Sequence, residues 1–128
     1  MKCIIIILTT ILSLGLSPLA AQNFDKGLKA YDAGDYGTAL REWAPLAEQG
    51  NVEAQYNLGF MYDNGQGFAQ DRDEAVKWYR LAAEQAHGDA QLNLGAMYLD
   101  GRGVPENFVE AAKWYRLAAV PGNAIAQD

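Results

Sequence analysis

Reactive side chains are almost absent from this chain. Beyond residue 21 it has no cysteine and no serine, and Thr38 is its only threonine. These absences exclude disulfide bonds and a cysteine or serine hydrolase, because such enzymes need an activated thiol or hydroxyl. His87 is the only histidine, and one histidine without cysteine or histidine partners cannot form a zinc site. We therefore interpret His87 as a solvated residue of a turn.

Basic residues are also scarce. Ten lysines and arginines face sixteen acidic residues, which gives a formal net charge of −6. Nucleic acids and anionic membranes attract clustered positive charge, so we expect neither as a partner. Half of the residues are apolar, however, which is enough to bury a core. The composition predicts a folded, soluble acidic protein that faces a polar or basic partner.

Long hydrophobic runs are missing too. The longest covers the 13 residues 4–16, whereas a membrane-spanning helix needs about 20 apolar residues. It follows Lys2 and precedes small residues at 17–21, the pattern of a secretory signal peptide. We predict a signal peptide over residues 1–21 with cleavage after Ala21, and an uncleaved anchor is the alternative. The mature protein would be periplasmic or secreted, without membrane insertion after cleavage.

A repeat of 36 residues organises the rest of the chain. Between residues 54–83 and 90–119, 18 of 30 positions are identical, which chance cannot explain and which indicates tandem structural units. Three motifs carry the repetition. They are A-Q-x-N-L-G-x-M-Y at Ala54 and Ala90, G-x-G at Gly65 and Gly101, and E-A-x-K-W-Y-R-L-A-A at Glu74 and Glu110.

Each copy is expected to form two antiparallel helices, a helix A followed by a helix B. In helix A, apolar residues such as Leu58 and Met61 recur at intervals of three and four, which predicts one buried stripe. Asn51 is a suitable N-cap residue for this helix, and Gly65 ends it. Asp71 is the corresponding N-cap residue of helix B.

Two glycines predict how the helices of one copy meet. Gly59 and Gly95 lie inside helix A, where glycine costs about 1 kcal/mol relative to alanine. That cost is understandable if helix B crosses helix A there, closer than a side chain would allow. Trp78 and Trp114, both in helix B, are predicted to fill the space between the helices. The repeated positions assigned to the fold are Gly59, Tyr62, Ala75, Trp78, Gly95, Tyr98, Ala111 and Trp114.

The three motifs at this period resemble the Sel1-like repeat family, which is related to the tetratricopeptide repeats. The resemblance implies an all-α fold, a right-handed superhelix of antiparallel helix pairs with about three repeat units. It also implies a non-enzymatic adaptor in protein complexes, with no cofactor. The implied organisation is a degenerate tetratricopeptide-like first unit over residues 22–50, Sel1-like repeats over 51–86 and 87–122, and the start of an incomplete helix over 123–128.

By similarity to the tetratricopeptide register, one row of helix A side chains faces the concave surface of the superhelix. These positions differ between the copies, as a surface that serves a partner would allow, although they would also differ if nothing constrained them. The predicted partner-binding residues are Leu28, Tyr31, Glu53, Tyr56, Phe60, Asp63, Asp89, Leu92, Ala96 and Leu99.

The last repeat lacks a following helix to cover it. Trp114 and Leu117 would then be exposed, and solenoid ends need a polar cap. Three explanations remain open: a truncated chain, a homo-oligomer through this end, or a partner helix that completes the stack. The first explanation would make the protein a truncated structural stub, which is one alternative function. An envelope hydrolase is the other, because aspartate and glutamate are abundant and glycosidases use a pair of such carboxyl groups. Asp63-Asn64-Gly65 lacks the alternating ligands of a calcium loop, so we predict no metal site. We also predict no catalytic residue, because reactive side chains are almost absent.

Overall fold

The computed structural model describes residues 18–120. This range contains six α-helices and no β-strand, and none of the helices is long and apolar enough to cross a bilayer. Three helical hairpins follow one another, and each consists of an A helix and a B helix. The helices are α1 (Pro18–Asp32), α2 (Tyr36–Glu48), α3 (Val52–Asn64), α4 (Arg72–Glu84), α5 (Gly88–Asp100) and α6 (Phe108–Ala118).

The helix ends follow the capping chemistry of the sequence. The Asn51 side chain accepts a hydrogen bond of 2.8 Å from the Ala54 N–H at the start of α3. At the start of α4, Asp71 accepts one of 3.1 Å from the Glu74 N–H. Gly65 ends α3 in the left-handed conformation, with φ of 65°, which glycine adopts without strain. The predicted caps Asn51, Asp71 and Gly65 are therefore confirmed.

The six helices stack as a solenoid, in which each packs chiefly against its neighbours in sequence. Two apolar clusters form a core along the stack. The first joins α1–α3 around the buried side chains of Trp43, Leu58 and Met61. The second joins α4–α6 around Tyr79 and Leu94. The fold is the predicted all-α solenoid of helix pairs.

The crossing of α3 and α4 occurs at Gly59, but the ring that fills it is Tyr79. A Cβ atom on Gly59 would lie 2.6 Å from Tyr79 Cδ1, and Tyr79 is fully buried. Trp78 is only half-buried and packs against the first cluster. The prediction that Trp78 fills this space was therefore wrong, because the rotation of α4 turns the next residue in sequence towards α3.

The third hairpin repeats this arrangement at Gly95. A Cβ atom on Gly95 would lie 3.1 Å from Cε1 of Tyr115, so the adjacent ring is again the tyrosine and not Trp114. Trp114 packs in the second cluster and is 4% exposed. The expectation that Trp114 lies open was wrong, whereas Leu117 is 42% exposed.

The first hairpin uses a tryptophan for the same purpose. A Cβ atom on Gly27 would lie 2.4 Å from Trp43 Nε1, and Trp43 precedes Tyr79 by 36 residues. The indole N–H donates a hydrogen bond of 3.1 Å to the Phe24 carbonyl oxygen. All three hairpins therefore close by an aromatic ring of helix B against a glycine of helix A.

Buried glutamines connect consecutive hairpins. The Gln55 side chain donates a hydrogen bond of 3.1 Å to the Ala47 carbonyl oxygen at the end of α2. Gln91 repeats this bond with the Ala83 carbonyl oxygen at the end of α4, also at 3.1 Å. Both glutamines are buried, and buried polar groups are costly without partners. These bonds explain why the A-Q motif recurs at the start of each repeat.

The remaining repeated positions are placed as residues of the fold. Ala75 and Ala111 are buried in the second helices of their hairpins. Tyr62 stacks on Phe68, with ring centroids 4.0 Å apart. Tyr98 lies under the Arg80 guanidinium, which also donates a hydrogen bond to its hydroxyl.

Two sequence predictions fall largely outside the described residues. The signal peptide prediction covers residues 1–21, of which 1–17 are not described, and residues 18–21 form the first turn of α1. Pro18 begins this helix, a position where its missing N–H costs nothing. The incomplete helix predicted over residues 123–128 lies outside the described range.

Candidate concave binding site

A cavity of about 250 Å³ opens between the first and second hairpins. It lies where α1, α2 and α3 meet, on the surface formed by the A helices. Four predicted partner-binding residues converge on it from two different hairpins. The lining residues are Leu28, Tyr31, Asp32, Trp43, Tyr56, Asn57 and Phe60.

Neighbouring groups hold the aromatic walls of this cavity in place. The Tyr31 hydroxyl donates a hydrogen bond of 2.9 Å to the Gln66 side chain. The rings of Tyr31 and Trp43 lie 5.6 Å apart and are tilted by 35°. On the α3 side, Tyr56 and Phe60 lie 6.4 Å apart. Such tilted pairs at 4.5–7 Å are favourable contacts between aromatic rings, so the walls exist before any partner arrives.

The electrostatic environment of the cavity is acidic. Burial raises the pKa of the Tyr56 hydroxyl, and the nearby Asp89 and Glu53 carboxylates raise it further, whereas the Asn93 side chain lowers it. Asp32 is the only charged residue among the lining residues. The described surface around Tyr56 therefore favours a positive or neutral group over an anion.

His87 is not the solvated turn residue that the sequence predicted. Its Nδ1 atom accepts a hydrogen bond of 3.1 Å from the Ala90 N–H, so the ring caps α5. Its Nε2 atom lies 3.2 Å from a Glu53 carboxylate oxygen. The ring also stacks on Tyr56 with centroids 4.6 Å apart, and its side chain is 12% exposed. These contacts hold the imidazole ring against the Tyr56 ring.

The other predicted partner-binding residues lie outside the lining of the cavity. Asp63 lies 3.7 Å from Arg72 and 3.9 Å from Arg102, so its charge is partly neutralised by long ion pairs. Asp89, Leu92, Ala96 and Leu99 follow each other along α5 and line no part of the cavity. Leu99 is the most exposed of them, at 42%.

Three lining residues were not predicted. Trp43 belongs to the core, where it is 1% exposed, and it also lines the cavity. Asp32 follows Leu28 by four residues in α1, so helical spacing places it on the same face as Leu28. Asn57 repeats as Asn93, whereas the predicted partner-binding positions differ between the copies. The spacing of Asp32 was the signal that could have found it.

Comparisons with known proteins identify the repeat. The model of the Sel1 repeat family matches residues 52–87 and 88–119, whereas no curated protein matches the chain. Within residues 18–120 no group of three histidine, cysteine, aspartate or glutamate side chains could hold a metal ion.

Solved structures share the architecture. The chain is 38% identical to c5321, a protective antigen present in uropathogenic Escherichia coli strains, with a TM-score of 0.78 over 84% of this chain. It is 42% identical to a Sel1 repeat protein from Oxalobacter formigenes, with a TM-score of 0.75 over the same share. The cysteine rich protein B of Helicobacter pylori, at 21% identity and a TM-score of 0.66 over 84% of this chain and 92% of its own, shares the fold.

Two of these proteins are much longer than this chain. The chain spans 24% of the E. coli antigen and 45% of the Oxalobacter protein, so it corresponds to part of each. The helix pairs, the two matched repeats and the identity to the Oxalobacter protein agree with one another. The chain belongs to the Sel1 repeat family.

Proposed function

We propose that the protein is an exported, non-enzymatic adaptor that binds a protein or peptide through its concave surface. The aromatic cavity between the first two hairpins is the observation that carries this proposal. Sel1 repeat solenoids commonly serve as scaffolds for protein–protein interaction. Clustered aromatic residues around a cavity are the usual anchors of such interfaces.

The chemistry of the cavity supports binding over catalysis. Its polar side-chain groups are two tyrosine hydroxyls, one indole N–H, one amide and one carboxylate, and none of them is paired with a general base in the manner of a nucleophile. Phe60 exposes 36% of its surface at the rim. A partner helix or extended segment would bury this surface and gain affinity from it.

Site-specific photo-crosslinking in the native cell tests the adaptor function. A benzoylphenylalanine residue at position 60 is expected to form an adduct with one partner protein, because Phe60 lies at the rim of the cavity. The matched control carries the same residue at position 109, since Val109 is 76% exposed on α6 but lies outside the cavity. The captured protein is then purified, and its Kd for the full chain is measured.

A double variant that carries two residues of the next repeat tests the contribution of the cavity to affinity. Tyr56→Leu with Phe60→Ala introduces the residues found at Leu92 and Ala96, which helix A of the next repeat accommodates. We expect the Kd to rise by roughly 30-fold or more, as for the loss of an interface anchor. Identical adducts from positions 60 and 109, or an unchanged Kd, would count against the concave surface.

Export is the second part of the proposal, and the pattern of residues 1–21 supports it. We expect the mature protein to begin at Gln22 and to fractionate with the periplasm or the medium. The measurement is the intact mass of the protein recovered from each fraction of the native cell. Lys2→Glu combined with a charged residue in place of Leu12 should retain the protein in the cytoplasm. An intact mass that still includes residues 1–21 in every fraction would refute cleavage.

A further inference from the structure

Aromatic rings and one carboxylate occur together in the cavity between the first two hairpins. Tyr31, Trp43, Tyr56 and Phe60 provide four of its seven lining residues, and Asp32 provides the only charge. The face of an aromatic ring carries negative charge density and attracts a cation within about 6 Å of its centroid. An apolar occupant would gain nothing from Asp32, whereas a cation would interact favourably with the rings and the carboxylate together.

We propose that this cavity receives the cationic head of an arginine or lysine side chain that the protein partner presents. The inference rests on the proposed adaptor function and adds the chemical class of the residue that enters the cavity. It follows from the residues of the first two hairpins, and the third hairpin contributes no lining residue.

The carboxylate of Asp32 is available to such a cation. Among residues 18–120, Asp32 forms no ion pair with a lysine, arginine or histidine. The Asp89 and Glu53 carboxylates lie close enough to act on the Tyr56 hydroxyl. None of the seven lining residues is basic. A partner cation would therefore meet the carboxylate of Asp32 without competition from a basic lining residue.

The size and rigidity of the cavity suit a single side chain. A volume of about 250 Å³ lies below the range of roughly 300–1,000 Å³ typical of sites for drug-sized ligands. Trp43 is fixed by its hydrogen bond to Phe24, and Tyr31 by its bond to Gln66. Because these rings are already ordered, binding does not have to immobilise them.

Matched neutral peptides separate a cation site from an apolar pocket. Acetylated and amidated Gly-X-Gly peptides are titrated into the full chain, with X as arginine, citrulline, lysine or norleucine. Binding is followed through the NMR signal of the Trp43 indole N–H. We expect the arginine and lysine peptides to bind about five- to thirtyfold more tightly than citrulline and norleucine.

Removing the carboxylate tests the role of charge. Asp32→Asn is expected to reduce the affinity for the arginine peptide to about that for the citrulline peptide. Asp73→Asn is the matched control, because it changes the net charge equally and Asp73 is exposed on α4 away from the cavity. The arginine peptide should bind this control variant as it binds the wild type.

Every other result overturns the inference in a recognisable way. Equal affinity for charged and neutral peptides, or an Asp32→Asn variant that behaves as wild type, would leave an apolar pocket and the adaptor function intact. Choline binding more tightly than both cationic peptides would assign the cavity to a free quaternary ammonium compound. No response of Trp43 to any peptide would reject the cation site, and only an unchanged partner Kd in the Tyr56→Leu, Phe60→Ala variant would reject the adaptor surface as well.

Discussion

Alanine at Gly59 is expected to lower the free energy of unfolding by about 2 kcal/mol, whereas alanine at Gly95 changes it by less than about 1 kcal/mol. A Cβ atom at position 59 would lie 2.6 Å from Cδ1 and 2.8 Å from Cε1 of Tyr79. That ring is fully buried and packs 5.8 Å from the Tyr56 ring, so it cannot move aside without displacing its neighbours.

Gly95 is the matched control within the same molecule. Its Cβ atom would lie 3.1 Å from Tyr115 Cε1, and the half-buried Tyr115 ring has room to turn. Both substitutions gain the same helix propensity, so their difference isolates the contact with the ring. Urea denaturation followed by circular dichroism measures this difference in the free energy of unfolding. In thermal denaturation, the Tm should fall by about 8–16 °C for Gly59→Ala. If both variants lose the same stability, the contact between a Cβ atom at position 59 and the Tyr79 ring does not cause the loss.

The helices and their ends could be predicted from the sequence because they depend on local chemistry. Asn51 and Asp71 cap the helices that they were expected to cap, and Gly65 ends α3 in the left-handed conformation. The 36-residue repeat added the pairing of helices, since a unit that recurs must bury the same face each time. Local signals and the repeat agreed at each of these positions, which is what a consistently encoded fold requires.

The ring at each crossing could not be predicted, because Trp78 and Tyr79 are neighbours in sequence and both recur. Consecutive residues of a helix point about 100° apart, so a small rotation of α4 decides which of them faces Gly59. The offset of 36 residues between Trp43 and Tyr79 is visible in the sequence and places the two rings at equivalent positions of the first and second units. It did not show that Trp43 also closes a cavity, because that depends on how two units stack.

His87 shows the limit of interpreting a residue by its type. Position 87 follows Asn51 by 36 residues, and Asn51 was recognised as a cap. The imidazole Nδ1 atom accepts the same kind of bond at the start of α5, and the ring then reaches Tyr56 and Glu53. Applying the repeat to this position would have predicted the cap. The contacts with the preceding hairpin required the structure.

Tyr79→Ala is expected to lower the free energy of unfolding by roughly 3–5 kcal/mol, the range for removing a large buried aromatic side chain. Trp78→Ala should cost only about 1–2 kcal/mol, because Trp78 is half-buried at the edge of the first cluster. The sequence predicted that Trp78 fills the space between α3 and α4. The order of the two losses in urea denaturation therefore reports which ring lies between α3 and α4.

Tyr79→Phe separates the ring from its hydroxyl. Burial raises the pKa of the Tyr79 hydroxyl strongly, and the Tyr79 oxygen forms no hydrogen bond within residues 18–120, although the Asn93 amide lies near enough to oppose the shift. A buried hydroxyl without a partner contributes little or is unfavourable, so phenylalanine should be neutral or slightly stabilising at pH 7. If Tyr79→Phe lost as much stability as Tyr79→Ala, the hydroxyl and not the ring would hold the two helices together.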